Sequence, residues 1–416
     1  MASTTAKPMP RHFKYHTGSP ESCPLQHTCY ACEIGTSFAF RSAMSSRSRL
    51  LFLVGPNGSG KTRRLIDLAK SAPSGGRTTL AIAGTPFTAF PRNGRRLTSF
   101  SISPKQIPRV VAKNLVQFFD AEGRDTFDMS DLLSAIGLEP VVDIKIEINE
   151  DKLDEISDLF RKAEEARSIS SALQFLRSNE GRATLSQDSS GYTRSLRGQN
   201  RLVFKNIRKL QRSGIVKSFD LIFLKRENYL LQQKEFSKLS SGEQTIISTY
   251  LFIKANLDHL DLLIIDEPEN SLHPDWQRQY MKFIHMAIGY SEAEIVMATH
   301  SPILVSGTLA NYPDDSSVIR VADNAPDRSV FAKGDEPGSV EEILWKAFQT
   351  ITPTNHFLSA EISDLLQNVI EGEISQAEAT KRLEEFRERS YDQTQSDLIS
   401  QISSKIPTLA HHAESY

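Results

Sequence analysis

The chain has no long hydrophobic run. Nowhere do its 416 residues approach the ~18 successive apolar side chains that cross a bilayer as a helix. Residues 1–20 carry charge and proline but no apolar core, so no secretory signal is expected. The chain therefore reads as cytoplasmic, with no membrane partner. Cysteine is scarce too: three residues, Cys23, Cys29 and Cys32, fall within ten positions, with His27 between them. Cys29-x-x-Cys32 is half of a zinc site, and Cys23 and His27 could complete four Zn²⁺ ligands. Against zinc, a single residue separates His27 from Cys29, a hard reach around a tetrahedral centre; three reduced thiols are the other reading. Acid is scarce at one end. Residues 1–110 hold 16 Lys and Arg against Glu21, Glu33 and Asp67, a surplus of 13 in a chain whose net charge is −2. A basic face of that kind suits nucleic acid or an acidic partner.

At 39% apolar and 24% charged, the remainder has the composition of an ordinary globular protein with core to spare. Its densest chemistry is the stretch LFLVGPNGSGKT, residues 51–62. Four apolar residues run into a glycine-rich turn that fits G-x-x-x-x-G-K-[ST]. Gly55, Pro56, Asn57, Gly58, Ser59 and Gly60 can turn successive N–H groups onto a phosphate, helped by the start of the following helix. Lys61 supplies a charge for the β/γ-phosphates, and the Thr62 hydroxyl is a Mg²⁺ ligand. Leu65 and Leu68 continue the helical period.

Residues 78–84 (TTLAIAG) predict a second strand, followed by the basic loop Pro91 to Arg96. Tyr30, Phe38 or Phe40 could stack on adenine, and Gln106 or Gln117 could reach the metal or the attacking water; spacing selects none of them. From about 126 the character changes. Val142, Ile144, Ile146 and Ile148 alternate with charged residues, which predicts a strand. Residues 151–166 predict one amphipathic helix, and Ile169, Leu173 and Leu176 a second. Residues 194–217 hold eight basic side chains and no acid. A nucleic-acid surface and a solvated helix face both remain open there.

Leu239-Ser240-Ser241-Gly242-Glu243-Gln244 opens a predicted helix, with serines placed to cap it before Glu243. Eighteen residues on, LLIIDEPENSLHP (262–274) is an aliphatic strand ending in Asp266 and Glu267. Ligands of open α/β sheets gather at that carboxyl edge. Asp266 suits the Mg²⁺ shell, and Glu267 suits proton acceptance from water. A last apolar strand, IVMATHS (295–301), ends in His300, within reach of a γ-phosphate.

The order of these four elements resembles the ATP-binding-cassette (ABC) ATPases. The resemblance spans roughly residues 34–321 and implies an α/β nucleotide-binding fold, with a P-loop and a mixed or parallel sheet, split by the insertion. It implies a head-to-tail sandwich, in which Ser240, Ser241, Gly242 and Glu243 of one subunit face ATP on the phosphate loop of another. It also implies that Thr62 and Asp266 bind Mg²⁺, that Glu267 activates water, and that His300 senses the γ-phosphate. LSSGEQ and NSLHP are similar to the soluble branch, with its RecF/SMC-like repair ATPases and overcoming-lysogenization-defect (OLD) ATPases, rather than to transporters. Residues 85–91 (TPFTAFP) and the VEEIL at 340–344 are similar to anti-phage ATPases of the Septu and retron-associated kind.

The expected organisation is an N-terminal tail with the Cys/His cluster (1–33), a first ATPase half (34–125), a mostly helical insertion (126–235), a second ATPase half (236–335) and a helical C-terminal region (336–416). The tail has no D-x-D pair of the OLD nuclease kind, and the insertion is too short for SMC arms. The expected function is an ATP-hydrolysing switch that oligomerises and controls a separately encoded nuclease or toxin in phage defence. The alternative is a RecF/SMC-like ATPase of DNA repair or tethering.

Overall fold

The computed structural model describes residues 49–102, 111, 114, 129–179, 181–184, 186–187, 193–194, 203, 206–227, 230–321, 327–337, 339–352 and 355–413. Strand β1 (Leu50–Val54) is buried at every residue and feeds the phosphate loop, which opens α1 (Lys61–Ser74). Then come β2 (Thr79–Ala83) and β3 (Leu97–Ser101).

The next segment was expected to be mostly helical and is instead built on sheet. It runs through α2 (Ser130–Ala135), β4 (Leu138–Ile148), α3 (Ile156–Leu159), α4 (Ala163–Ser178), β5 (Arg182–Thr184), the ribbon β6 (Ser186–Gln187) and β7 (Thr193–Arg194), α5 (Ile207–Ser213), β8 (Val216–Glu227) and β9 (Leu230–Glu235). Strands β5-β4-β8-β9 form an antiparallel sheet in that order. The alternation in β4 buries Val142, Ile144 and Ile146 on one face, as its period requires. The single helix expected over 151–166 is broken into a 3-10 turn (Glu150–Glu155), the short α3 and the start of α4. The basic stretch 194–217 lies partly outside the described residues; within them, Arg208 and Arg212 are exposed and the Lys209 ammonium sits 3.9 Å from the centre of the Phe160 ring.

The chain then returns to the first sheet through α6 (Ser241–Ala255), β10 (Leu262–Asp266), α7 (Pro274–Arg278), α8 (Tyr280–Ile288), β11 (Glu294–Ala298), α9 (Pro302–Asn311), β12 (Ser316–Arg320) and β13 (Arg328–Phe331). Seven strands stand in the order β13-β12-β1-β11-β10-β2-β3, parallel except where β13 meets β12. The aliphatic runs read from the sequence are the central strands, covered on both faces as a parallel sheet requires. On one face Leu51, Leu53, Ile264 and Val296 pack on Leu65, Leu68 and Ala72 of α1. On the other, Phe52, Val54, Leu263 and Met297 pack with Ile246 of α6, Phe283 of α8 and Leu304 of α9, in a core continuous with the inserted sheet. Each fully buried aliphatic side chain contributes about 1.5–3 kcal/mol, so this two-sided core holds the strand ends in place.

Four helices close the described chain: α10 (Val340–Phe348), α11 (His356–Ile370), α12 (Gln376–Glu388) and α13 (Gln393–Ala413). All four lie in the region expected to be helical, 336–416. Helices α11, α12 and α13 share a separate core that includes Leu358, Leu365, Leu383, Phe386 and Ile399, while Ile343 and Ala347 of α10 join the core of the large sheet. No helix among the described residues is long and apolar enough to cross a membrane.

Candidate nucleotide site

Parallel pairing in register brings the ends of β1, β10 and β11 to one edge. Asp266 lies opposite Ala298 across β10 and β11, and Leu53 opposite Ala298 across β1 and β11. The phosphate loop, the carboxylates and His300 therefore converge from positions over 200 residues apart.

In the loop, Gly55 has φ +149°, and a Cβ there would lie 2.4 Å from the Val321 carbonyl oxygen, so no side chain fits. Gly60 begins α1 in the left-handed conformation and gives it no side-chain cap, and the first turn holds no acid. The first N–H groups of α1 thus keep their positive potential for a phosphate. Ser59 Oγ is buried without a hydrogen-bond partner among the described residues, as a group awaiting a ligand oxygen would be. The Lys61 ammonium donates to the carbonyls of Gly55 (2.9 Å) and Pro56 (3.0 Å), and burial pulls its pKa below the usual lysine value.

Asp266 is 1% exposed. The Thr62 hydroxyl lies 3.1 Å from both of its carboxylate oxygens, and Thr88 Oγ1 donates to Oδ2 at 2.7 Å. Burial lifts the Asp266 pKa, and these hydroxyls oppose that rise. A hydroxyl and a carboxylate so placed are hard oxygen donors that suit Mg²⁺. Thr88 sits in the TPFTAFP segment, yet nothing in its spacing assigns it this contact.

Glu267 takes φ +49°, an uncommon left-handed geometry for a glutamate, which turns the chain sharply off the strand. Its Oε1 is 3.5 Å from His300 Nε2, and Asn270 Nδ2 approaches its Oε2 at 3.3 Å. Burial, then the nearby Lys61 charge, lower the His300 pKa, while Glu267 opposes them. His300 is therefore a neutral imidazole at pH 7, able to donate or accept.

A third carboxylate went unread. Glu269 accepts from the His300 backbone N–H at 2.6 Å and from Thr299 Oγ1 at 2.9 Å, and burial raises its pKa. It ties the loop after β10 to the histidine's backbone, a positioning role. The available signal was a second glutamate two residues after Glu267.

The signature segment is divided by the fold. Ser240 caps α6: its Oγ accepts from the Glu243 N–H, and Glu243 Oε2 accepts from the Ser240 N–H at 2.7 Å, a complete capping box. Glu243 Oε1 takes Lys225 Nζ of β8 at 2.8 Å, so this carboxylate faces inward, 2% exposed. The expectation that Ser240 and Glu243 offer side chains to a nucleotide is not what this geometry favours. Ser241 is exposed. Gly242 is buried, and a Cβ there would lie 2.8 Å from both the Ser271 carbonyl oxygen and the Trp276 ring.

Tyr30, Phe38, Phe40, Gln106, Gln117 and the group Cys23, His27, Cys29 and Cys32 lie outside the described residues. Among the described residues, no group of three or more His, Cys, Asp or Glu could hold a metal ion.

A phosphate loop on a buried parallel strand, facing a Thr–Asp pair and a Glu–His pair at neighbouring strand ends, defines a P-loop nucleotide-binding protein of the ABC-like kind. A family model described as "AAA domain, putative AbiEii toxin, Type IV TA system" matches residues 50–306, more than half of the chain. The chain belongs to that family. No curated protein matches it. Among solved structures it is similar to one described as "An inward-facing conformation of a putative metal-chelate type ABC transporter", at 14% identity, over 73% of this chain and 79% of that one, with a TM-score of 0.30.

Proposed function

We propose that this protein is an ATP-hydrolysing switch that closes head to tail around ATP and controls a separately encoded nuclease or toxin in anti-phage defence. The observation that carries hydrolysis is the pair Glu267 and His300, 3.5 Å apart, beside Thr62 and Asp266 at the mouth of the phosphate loop. Glu267 is the base that takes the proton of the attacking water, and His300 meets the γ-phosphate. Lys61 leaves its carbonyl partners for the β/γ-phosphates. Thr62 and Asp266 would hold Mg²⁺, which supplies positive charge where the phosphoryl group leaves.

Head-to-tail closure is supported by topology. Helices α1 and α6 pack on opposite faces of the sheet, so Ser241 and Gly242 suit a second subunit's nucleotide better than their own. The defence role is supported by the TPFTAFP and VEEIL segments and by a family description that names a toxin. The rival, a DNA-repair or DNA-tethering ATPase, rests on exposed Arg208, Arg212 and Lys217 in the basic stretch.

The test is to trap tagged Glu267→Gln protein with ATP, measure its mass in solution, and identify what co-purifies from the native host. ATP-dependent doubling of mass with a stoichiometric nuclease or toxin is expected. A monomer under saturating ATP sinks the sandwich. Salt-sensitive DNA without a protein partner replaces the effector reading by the DNA one.

A further inference from the structure

Where β12 meets β13 in the sheet, Arg320 and Arg328 lie directly opposite each other. Like charges placed so oppose strand pairing. Neither guanidinium forms an ion pair or hydrogen bond among the described residues; the carboxylate next to Arg328, Asp327, is taken by Arg64 Nη2 at 2.7 Å. Arg389, at the end of α12, approaches the same place: its charge and that of Arg328 both depress the Arg320 pKa, after burial. These three arginines line a cleft of about 610 Å³ between the sheet edge and the C-terminal helices.

Strand alternation places Arg320 with Val318, on the sheet face opposite α1, so the cleft is separate from the phosphate loop. Six cations and three acids line it. Of these, Lys346 is paired with Glu342, and Arg382 with Glu378. The wall includes Trp345, half-buried, with its ring 4.7 Å from that of Phe386 and with Arg389 over it. Unpaired guanidinium groups beside an aromatic wall, in a volume that fits a nucleotide, match phosphate and base chemistry.

We propose that this cleft is a second binding site, which takes a nucleotide monophosphate group, either free or as the 5′-phosphorylated end of a nucleic-acid strand. Arg320 and Arg328 grip the phosphate, and Arg389 closes over it from the helical side. The site adjoins the ATP loop through the backbone. Arg320 pairs in register with Val54, and the next carbonyl, that of Val321, is the one packed against Gly55.

The test uses the full chain with its phosphate loop saturated by Mg·ADP. AMP and a 5′-phosphorylated hexathymidylate are titrated by calorimetry against the unaltered protein, Arg320→Gln and Arg328→Gln. At least one probe should bind. Each substitution should weaken it by about tenfold or more, the worth of one charge-assisted hydrogen bond, with Mg·ADP affinity unchanged. AMP binding points to a free nucleotide; binding of the oligonucleotide alone points to a strand end. Binding of neither probe, or equal binding to both variants, overturns the proposal. Exposed Arg328 also guards against misfolding as the cause. Relieving a like-charge pair should leave the Arg328→Gln melting temperature equal or higher, and a marked drop would make the arginines structural and overturn the site.

Discussion

Two helix starts, α1 and α6, carry the two motifs that define this protein, and the fold treats them in opposite ways. Helix α6 has a complete capping box, an acid in its first turn and an ion pair from the buried Glu243 carboxylate to the partly exposed Lys225. Helix α1 has a left-handed glycine, no side-chain cap and no acid. Helices α9, α10, α11 and α12 follow α6, each capped by a serine or asparagine side chain. A side-chain cap contributes typically ~1 kcal/mol. Helix α1 forgoes that stabilisation and keeps its N–H groups for an anion. At α6 the same groups hold a rigid platform, from which exposed Ser241 projects. One end is left uncapped, and the other is fully capped.

The largest effect is expected between the two helices, at the carboxylates. Glu267→Gln should lower ATP turnover by ~10²–10⁴-fold and leave ATP binding intact. A steady-state assay with unchanged turnover would remove Glu267 as the base. Asp266→Asn should also stop turnover, yet make the protein more stable in Mg²⁺-free buffer. Burial raises the Asp266 pKa above its usual 3.8, so its protonated form favours the fold and that contribution is lost as pH rises through the folded pKa. The variant should melt higher than the unaltered protein at pH 7.5, with the gap narrowing towards pH 4; a lower melting temperature throughout would contradict this.

Ser240→Ala removes the cap of α6 and one of the groups facing Glu243, and should cost about 1–2 kcal/mol in denaturant unfolding. Its ATP affinity on the phosphate loop should be unaltered, and a large loss there would erase the distinction between the two ends. The smallest effect tests the other end. Arg63 is exposed in the first turn of α1. Arg63→Glu adds the missing acid and should stabilise the empty protein by about 0.3–1 kcal/mol while weakening ATP binding through repulsion. Tighter ATP binding would mean that the helix start does not face the phosphates.

Several features were legible because they are local. The phosphate loop, the aliphatic strands and the capping box each follow from residue type and short spacing. The inserted segment was misjudged because β8 lacks clean alternation: its burial runs through Leu221, Ile222 and Phe223 in succession. Helix α13 lies in the region expected to be helical, although polar residues and Pro407 blur its period. Thr88 and Lys225 could not be found by spacing, since each acts on a residue distant in sequence or carried on another element; Glu269 had only its place two residues after Glu267 to mark it.

The sequence by itself determined what chemistry this protein holds: a phosphate loop, an acid pair and a histidine, each at the end of an apolar run that must be buried. Tertiary structure alone decided how these groups are held and which remain free. Packing of α1 on the parallel sheet puts Asp266 against Thr62, and burial raises the pKa of Asp266 and lowers that of His300. An ion pair from the inserted sheet turns Glu243 inward and leaves Ser241 outside. Hydrogen bonds and desolvation depend on distance in space, and a linear spacing does not encode that distance once the chain has crossed from one strand to the next.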